Sequence, residues 1–241
     1  MTEDSGVTAA YGQDFPPHVR QGAFLMGFIS SVLDLLFPAK CVFCRRVLDS
    51  GDDGYCDKCT EALPFTDNYG KQAGDFYDFC ISPLYYQGDV RKSILRYKFG
   101  GTSAYAETYG KFLAHCIAGC PDMKYDVISW VPLSSRRKRS RGYDQAMLLA
   151  LAAALELGDV AVETLTKAID VQAQSELGDK NERSANISGA YKASSPELVN
   201  EKRVLLIDDV VTTGSTLAEC AKALKSAGAA GVVCAALARG E

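Results

Sequence analysis

Apolar positions along the chain fall into two kinds of run. Cys80–Tyr86 (CISPLYY), Asp126–Leu133 (DVISWVPL) and the Val204–Ile207 core of RVLLIDDVVTTGST are continuous, with little polar alternation. Such runs predict strands buried on both faces, as in a parallel sheet covered by helices. Other apolar residues recur at helical spacing. Phe24, Phe28, Val32, Leu35 and Leu36 share one face of Gly22–Phe37, and Tyr109, Phe112, Leu113, Cys116 and Ile117 share one face of Tyr105–Ala118. Leu217, Cys220, Ala221 and Leu224 define a third helix, and Val90–Phe99 and Ala146–Leu157 read as two more. Two stretches lack periodicity. Residues 1–21 mix Gly, Pro, Thr, Asp and Gln and are expected to be disordered. Val171–Tyr191 is a polar loop long enough to be functional, with Gln174, Lys180, Arg183 and Asn186 as its candidate ligand groups.

The first chemistry on this framework is a cysteine pattern. Cys41-Val42-Phe43-Cys44 and Cys56-Asp57-Lys58-Cys59 are two C-x-x-C pairs joined by the turn-rich RRVLDSGDDGY. That spacing fits a four-thiolate structural zinc site, two knuckles sharing one tetrahedral Zn2+. A redox dithiol of the thioredoxin kind carries a single pair at a strand–helix junction. The Gly22–Phe37 helix leads into the motif. It is shorter than the ~20 residues needed to span a bilayer and contains Asp34, so packing on the protein body is favoured over a membrane or partner role. His18 and His115 stand alone and receive no metal, and the remaining cysteines fall in apolar patterns as small core residues.

Composition narrows the class. With 241 residues, 47% of them apolar, and a net charge of −4, the chain reads as an ordinary globular protein. It is not a generally basic nucleic-acid binder. Nine cysteines, an odd number, and an acidic start without a charged-then-apolar leader argue against a secreted disulfide framework and for a cytoplasmic protein. One basic cluster stands out, Arg136, Arg137, Lys138, Arg139 and Arg141, expected on a loop between the Asp126–Leu133 strand and the next helix. A solvated loop is the ordinary fate of such a run. Its position at the C-terminal edge of a sheet points instead to a polyanion.

The last motif ends an apolar strand at two carboxylates, Asp208 and Asp209, and continues through Val210 and Val211 into Thr212-Thr213-Gly214-Ser215-Thr216 and a helix. Ligands of open α/β sheets bind at that strand edge, and a small hydroxylated loop opening a helix suits a phosphate. Neither G-x-G-x-x-G nor G-x-x-x-x-G-K-[ST] occurs. From Val204 to Thr216 the stretch resembles the 5-phosphoribosyl 1-diphosphate (PRPP) signature of type I phosphoribosyltransferases.

Four collinear segments, the cysteine pairs, VPL…RRKRSRGYDQ, QSEL…ERSANISGAY and the PRPP stretch, together with LLFPAKC before the first cysteine, resemble the ComF (ComFC-type) family over about residues 30–240. Asp144 departs from a usual Asn, adding a negative charge beside the presumed anion site, and Val211 from a common aromatic. The resemblance implies an α/β fold: a type I phosphoribosyltransferase-like parallel sheet flanked by helices, with a flexible hood and an N-terminal zinc ribbon. It divides the chain into residues 1–21, the helix and ribbon at 22–66, and the phosphoribosyltransferase-like part at 67–241. It implies that Asp208 and Asp209 are the catalytic pair holding the ribose hydroxyls, and that Val210, Val211 and Thr212–Thr216 complete the PRPP site. Arg136, Arg137, Lys138, Arg139, Arg141 and Arg183 would then meet diphosphate, bridged by Mg2+, or DNA. The family is tied to natural transformation. The choice between a phosphoribosyltransferase with an unknown acceptor and a non-catalytic sensor that binds single-stranded DNA and other competence proteins stays open. Arg91, Lys92, Arg96 and Lys98 on the Val90–Phe99 helix, and Tyr85, Tyr86, Tyr97 and Tyr143, are further candidates for DNA contact.

Overall fold

The computed structural model describes residues 38–49, 52–167 and 189–240. The expectations for residues 1–21, for the Gly22–Phe37 helix, and for Gln174, Lys180, Arg183 and Asn186 lie outside the described residues.

Five strands form one parallel sheet in which β7 (Gly231–Arg239) and β6 (Arg203–Val211) are central. β3 (Val127–Trp130) pairs with β6 on one side, while β1 (Cys80–Ile81) and β2 (Leu84–Tyr85) pair successively with β7 on the other. The expected single strand over Cys80–Tyr86 is thus broken at Ser82-Pro83, where proline cannot donate to a ladder. The registers Cys80↔Cys234 and Leu84↔Ala238 are nonetheless in step along β7.

Both faces of the sheet are covered, which is why its strands read as unbroken apolar runs. Leu205, Ile207, Val233 and Ala235 belong to one core with α2 (Gly88–Phe99), α3 (Tyr105–Gly119) and α5 (Gln145–Leu157). Val204, Leu206, Val232 and Cys234 belong to a second core under α7 (Ser215–Ser226). In α3, a Cβ on Gly110 would stand 2.6 Å from that of Ala152, so the close approach of α3 to α5 requires glycine there. A small antiparallel pair, β4 (Leu165–Lys167) and β5 (Tyr191–Ala193), projects beside α7, and the single turn α6 (Pro196–Val199) leads into β6.

The cysteine segment is not a bead on a linker. Cys41, Val42, Phe43, Cys56 and Cys59 lie in the same core as α2 and α3. Phe43 meets Phe112 edge-on at 5.7 Å and Tyr55 meets it at 5.0 Å. No helix of the described residues is long and apolar enough to cross a membrane.

Candidate functional site

The first cysteine pair sits in a tight turn. Cys41 N–H donates to Arg46 O at 2.8 Å, Arg45 N–H donates back to Cys41 O at 2.9 Å, and Lys40 and Val47 bridge across the base. Cys56 caps the short helix α1 (Asp57–Ala62) and Cys59 lies in its first turn. All four Sγ atoms fall within 4.8 Å of one another, with Cys41–Cys59 and Cys44–Cys56 both at 3.6 Å. Four thiolates around a tetrahedral Zn2+ at ~2.3 Å stand roughly 3.8 Å apart. The residues therefore fit the metal. Four protein sulfurs leave no open coordination position, so the site is structural.

The second site forms at the C-terminal end of the sheet. β6 does not stop at the acids as the sequence pattern had it but carries both of them within the strand. Asp209 turns toward α2, where Lys98 Nζ meets its Oδ1 at 2.7 Å. Asp208 lies on the α7 side, close enough for its charge to act on Cys220 and Tyr191. Loss of water around Asp208, and then the Asp209 charge, raise its pKa to about 8, with Lys98 and the Asp209 N–H (2.8 Å from Oδ1) opposing the rise.

Beyond β6, Gly214 takes φ +74° at the N-cap of α7. A Cβ there would meet the Tyr77 hydroxyl at 2.4 Å, so both conformation and space demand glycine. The first intrahelical bond runs from Ala218 N–H to Gly214 O. The N–H groups of Ser215, Thr216 and Leu217 therefore have no partner within the helix, and only Ser215 finds Thr213 Oγ1, at 3.4 Å. This helix start is a ready anion site. Asp208, Asp209 and Thr216 line a cleft of about 210 Å³, with Thr212–Ser215 next to them in the chain but not among its walls. A groove of about 490 Å³ past Lys192, Glu219 and Lys222 is larger, but the acids and the basic helix do not meet there.

The opposite wall of the cleft corrects the expected basic loop. Ser135–Arg141 is a helix, α4, because Ser134 Oγ accepts from Arg137 N–H at its start and Gly142 ends it in left-handed conformation. Winding separates the cluster. Arg137 and Arg141, one turn apart, line the cleft, Arg137 while still exposed, whereas the exposed Arg136, Lys138 and Arg139 do not line it. The basic face expected on α2 is divided in the same way. Lys98 enters the cleft, Arg96 turns onto the backbone of Val42 and Phe43, and Arg91 and Lys92 are exposed. Tyr97 is fully buried and Tyr143 donates its hydroxyl to Tyr97 O, so Tyr97 is not a stacking group. Lys167 and Tyr191 of the β4–β5 pair complete the lining, 3.2 Å apart, and burial raises the Tyr191 pKa. Sequence reasoning did not place Lys167, Gln145 or Tyr191 in the site, although Gln145 and Tyr191 end two of the motifs it singled out, and it offered Lys98 only as one of the α2 cations for DNA contact.

Asp144 does not line this cleft, but its charge reaches Asp208 and Tyr191 in the walls, as the departure from Asn led one to expect. It is buried at the N-cap of α5, where Oδ1 accepts from Met147 N–H (3.2 Å) and Oδ2 from Leu133 N–H (3.0 Å). The positive end of a thirteen-residue helix favours a carboxylate there. An Asn offers one acceptor oxygen for two donors. Asp144→Asn is therefore expected to cost about 1–2 kcal/mol, read as a lower urea midpoint at unchanged slope. An unchanged midpoint would mean that Leu133 N–H finds another acceptor.

A parallel sheet with two acids at its C-terminal edge, a phosphate-suited helix start and a four-thiolate ribbon define a phosphoribosyltransferase-type protein with a structural zinc module. Comparison with known proteins agrees. Residues 144–241 match the phosphoribosyl transferase domain and residues 32–78 the double zinc ribbon domain. Competence protein F of Haemophilus influenzae is 27% identical over 214 residues, covering 80% of this chain and 93% of that protein. The DNA utilization protein YhgH of Escherichia coli K12 is 29% identical over 222 residues, covering 82% and 96%. Competence protein ComFC of Streptococcus pneumoniae is 29% identical over 144 residues, 60% of each chain. Among solved structures, the allosteric regulatory enzyme of purine biosynthesis aligns with TM-score 0.38 at 23% identity, over 55% of this chain and 25% of that one. The chain joins a double zinc ribbon domain to a phosphoribosyl transferase domain and is similar to the competence proteins F and ComFC.

Proposed function

We propose that the cleft binds PRPP with Mg2+, and that the protein serves competence, natural transformation and DNA uptake as a phosphoribosyltransferase-family member with an unassigned acceptor. The observation that carries this reading is the meeting, in one cleft, of two carboxylates, Thr216 from the first turn of α7, and the cations Lys98, Arg137, Arg141 and Lys167. Asp208 and Asp209 would accept from the ribose hydroxyls. The Thr212–Thr216 backbone, following Val210 and Val211, would hold the 5′-phosphate. Mg2+ suits diphosphate oxygens and retained waters. In such a site cations stabilise the charge that grows on departing diphosphate, and no protein nucleophile is required. The division into residues 22–66 and 67–241, and a cytoplasmic location where thiols stay reduced, belong to the same reading.

Isothermal titration of the full chain with Mg2+ and PRPP tests the ligand. Heat is expected for the wild type, with a loss of tenfold or more in affinity for Arg137→Ala/Arg141→Ala, since each charge-assisted bond is worth about 1.5–3 kcal/mol. Silence in the wild type would sink the assignment. Diphosphate release across a panel of bases then separates turnover from sensing.

The exposed Arg136, Lys138 and Arg139 favour a second activity on the outer face of α4, binding of single-stranded DNA. Its affinity should fall with salt and drop further in Arg136→Ala/Lys138→Ala/Arg139→Ala, with PRPP binding unchanged. Equal DNA affinity in that variant would remove the patch from consideration.

A further inference from the structure

Helix α2 touches both halves of the molecule with its last two turns. On the ribbon side, Arg96 Nη2 donates to the carbonyls of Val42 (2.8 Å) and Phe43 (2.6 Å), the two residues between Cys41 and Cys44. Ser93 donates to the same Val42 carbonyl. Because its one proton is committed there, Tyr109 must donate to Ser93 Oγ, at 2.5 Å. The geometry of the first cysteine pair and the setting of α2 are therefore a single variable.

On the cleft side, Tyr97 donates its hydroxyl to Gln145 O at 2.8 Å, and the Arg141 guanidinium lies 4.9 Å from the centre of the Phe99 ring. Between them Lys98 holds Asp209 at 2.7 Å with only 18% of its side chain exposed, against 11% for the aspartate. A cation so covered does not belong to a solvated face. A buried ion of this kind persists only when held at bonding distance from its partner.

We infer that the first cysteine knuckle is a positioning element for the anion site. Through Arg96 it sets α2 so that Lys98 stands on Asp209, and Lys98 then offers its ammonium to the phosphate groups of the ligand. The identity of that ligand rests on the PRPP reading; the coupling between knuckle and cleft does not. The distances make it a tight linkage, because a charge-assisted hydrogen bond near 2.7 Å is lost by about 3.5 Å. A shift of under 1 Å at the end of α2 leaves Asp209 without its cation, beside Asp208. The cleft then repels the phosphates it should hold. Lys98 is a binding residue, and Arg96 acts through it.

The test uses the zinc-loaded full chain and Mg2+ with PRPP as probe. Arg96→Met keeps much of the buried stem and removes both bonds to the knuckle. Lys98→Met removes the cation. Each is expected to weaken binding about tenfold, and the double variant to be little weaker than Lys98→Met alone, since the two act in series. Arg96→Lys, which keeps the charge without the planar fork, should fall between wild type and Arg96→Met. In the ligand-free protein, amide exchange across residues 94–99 should quicken in Arg96→Met and in the wild type after chelation of zinc. Losses that simply add, or full affinity in zinc-replete Arg96→Met, would overturn the inference. Should the wild type bind no PRPP, the ligand reading alone fails. The exchange measurement then decides the coupling, and protection of α2 indifferent to zinc and to Arg96 would refute it.

Discussion

Serine at Cys41 or Cys59 is expected to abolish zinc retention and to lower the melting temperature of the whole chain by roughly 10 °C or more. Zinc binding by such sites is worth about 10–16 kcal/mol in isolated peptides, and here it substitutes for an apolar core that so short a segment cannot build. The loss spreads because Phe43 and Tyr55 both pack on Phe112 of α3, in the core shared with the sheet. Lys111 adds an ion pair to Asp53 at 2.9 Å, which is open enough to solvent to count for little. Zinc content by plasma mass spectrometry and a calorimetric scan check this together. Two separate transitions, or loss of zinc with no change in melting, would show that the ribbon and the sheet are energetically independent.

Asp208→Asn is expected to act in opposite directions on stability and on binding. In the free protein the Asp208 carboxyl titrates near 8, against 3.8 for an ordinary aspartate, because burial and Asp209 both resist its ionisation. Between those values the folded state holds a proton that the unfolded chain has lost. Wild-type stability should therefore fall as pH rises from about 4 to about 8 and level off above. Asparagine removes that slope and keeps the acceptor that Asp209 N–H uses. Below about pH 4 the variant should match wild type, because the carboxyl is then protonated in the folded and the unfolded chain alike. At pH 8.5 it should be more stable by at least ~2 kcal/mol, or about 4–8 °C in melting temperature. Binding of Mg2+ and PRPP should strengthen in the wild type as pH rises toward 8.5 and Asp208 ionises, and should be lost from the variant. A melting difference that does not grow with pH would refute the strained carboxylate. Retained binding would remove Asp208 from the ligand site.

Much of this molecule is legible in one dimension. Two C-x-x-C pairs at short spacing have few uses other than a tetrahedral metal, since each pair supplies two ligands from a single turn. The Val204–Ile207 run announces a strand covered on both sides, and the acids and the small hydroxylated loop after it announce the ligand edge of a parallel sheet. These are local patterns, in which chemistry and conformation lie within a few residues of each other.

What the sequence could not decide is where cations go. The cations of Arg136–Arg141 look equivalent along the chain, yet one helical turn brings Arg137 and Arg141 to the wall of the cleft and leaves Arg136, Lys138 and Arg139 away from it. Arg96 and Lys98 lie two residues apart, and the helix sends one to the cysteine knuckle and the other to Asp209. Lys167 reaches the site from a strand pair whose partner, Tyr191, is distant in sequence. The RVLLIDDVVTTGST stretch alone specified the acceptors and the phosphate-suited helix start, because both are properties of a strand end and a helix start. Only the tertiary structure selected which positive charges answer them, because that depends on helix phase and on packing partners more than a hundred residues away.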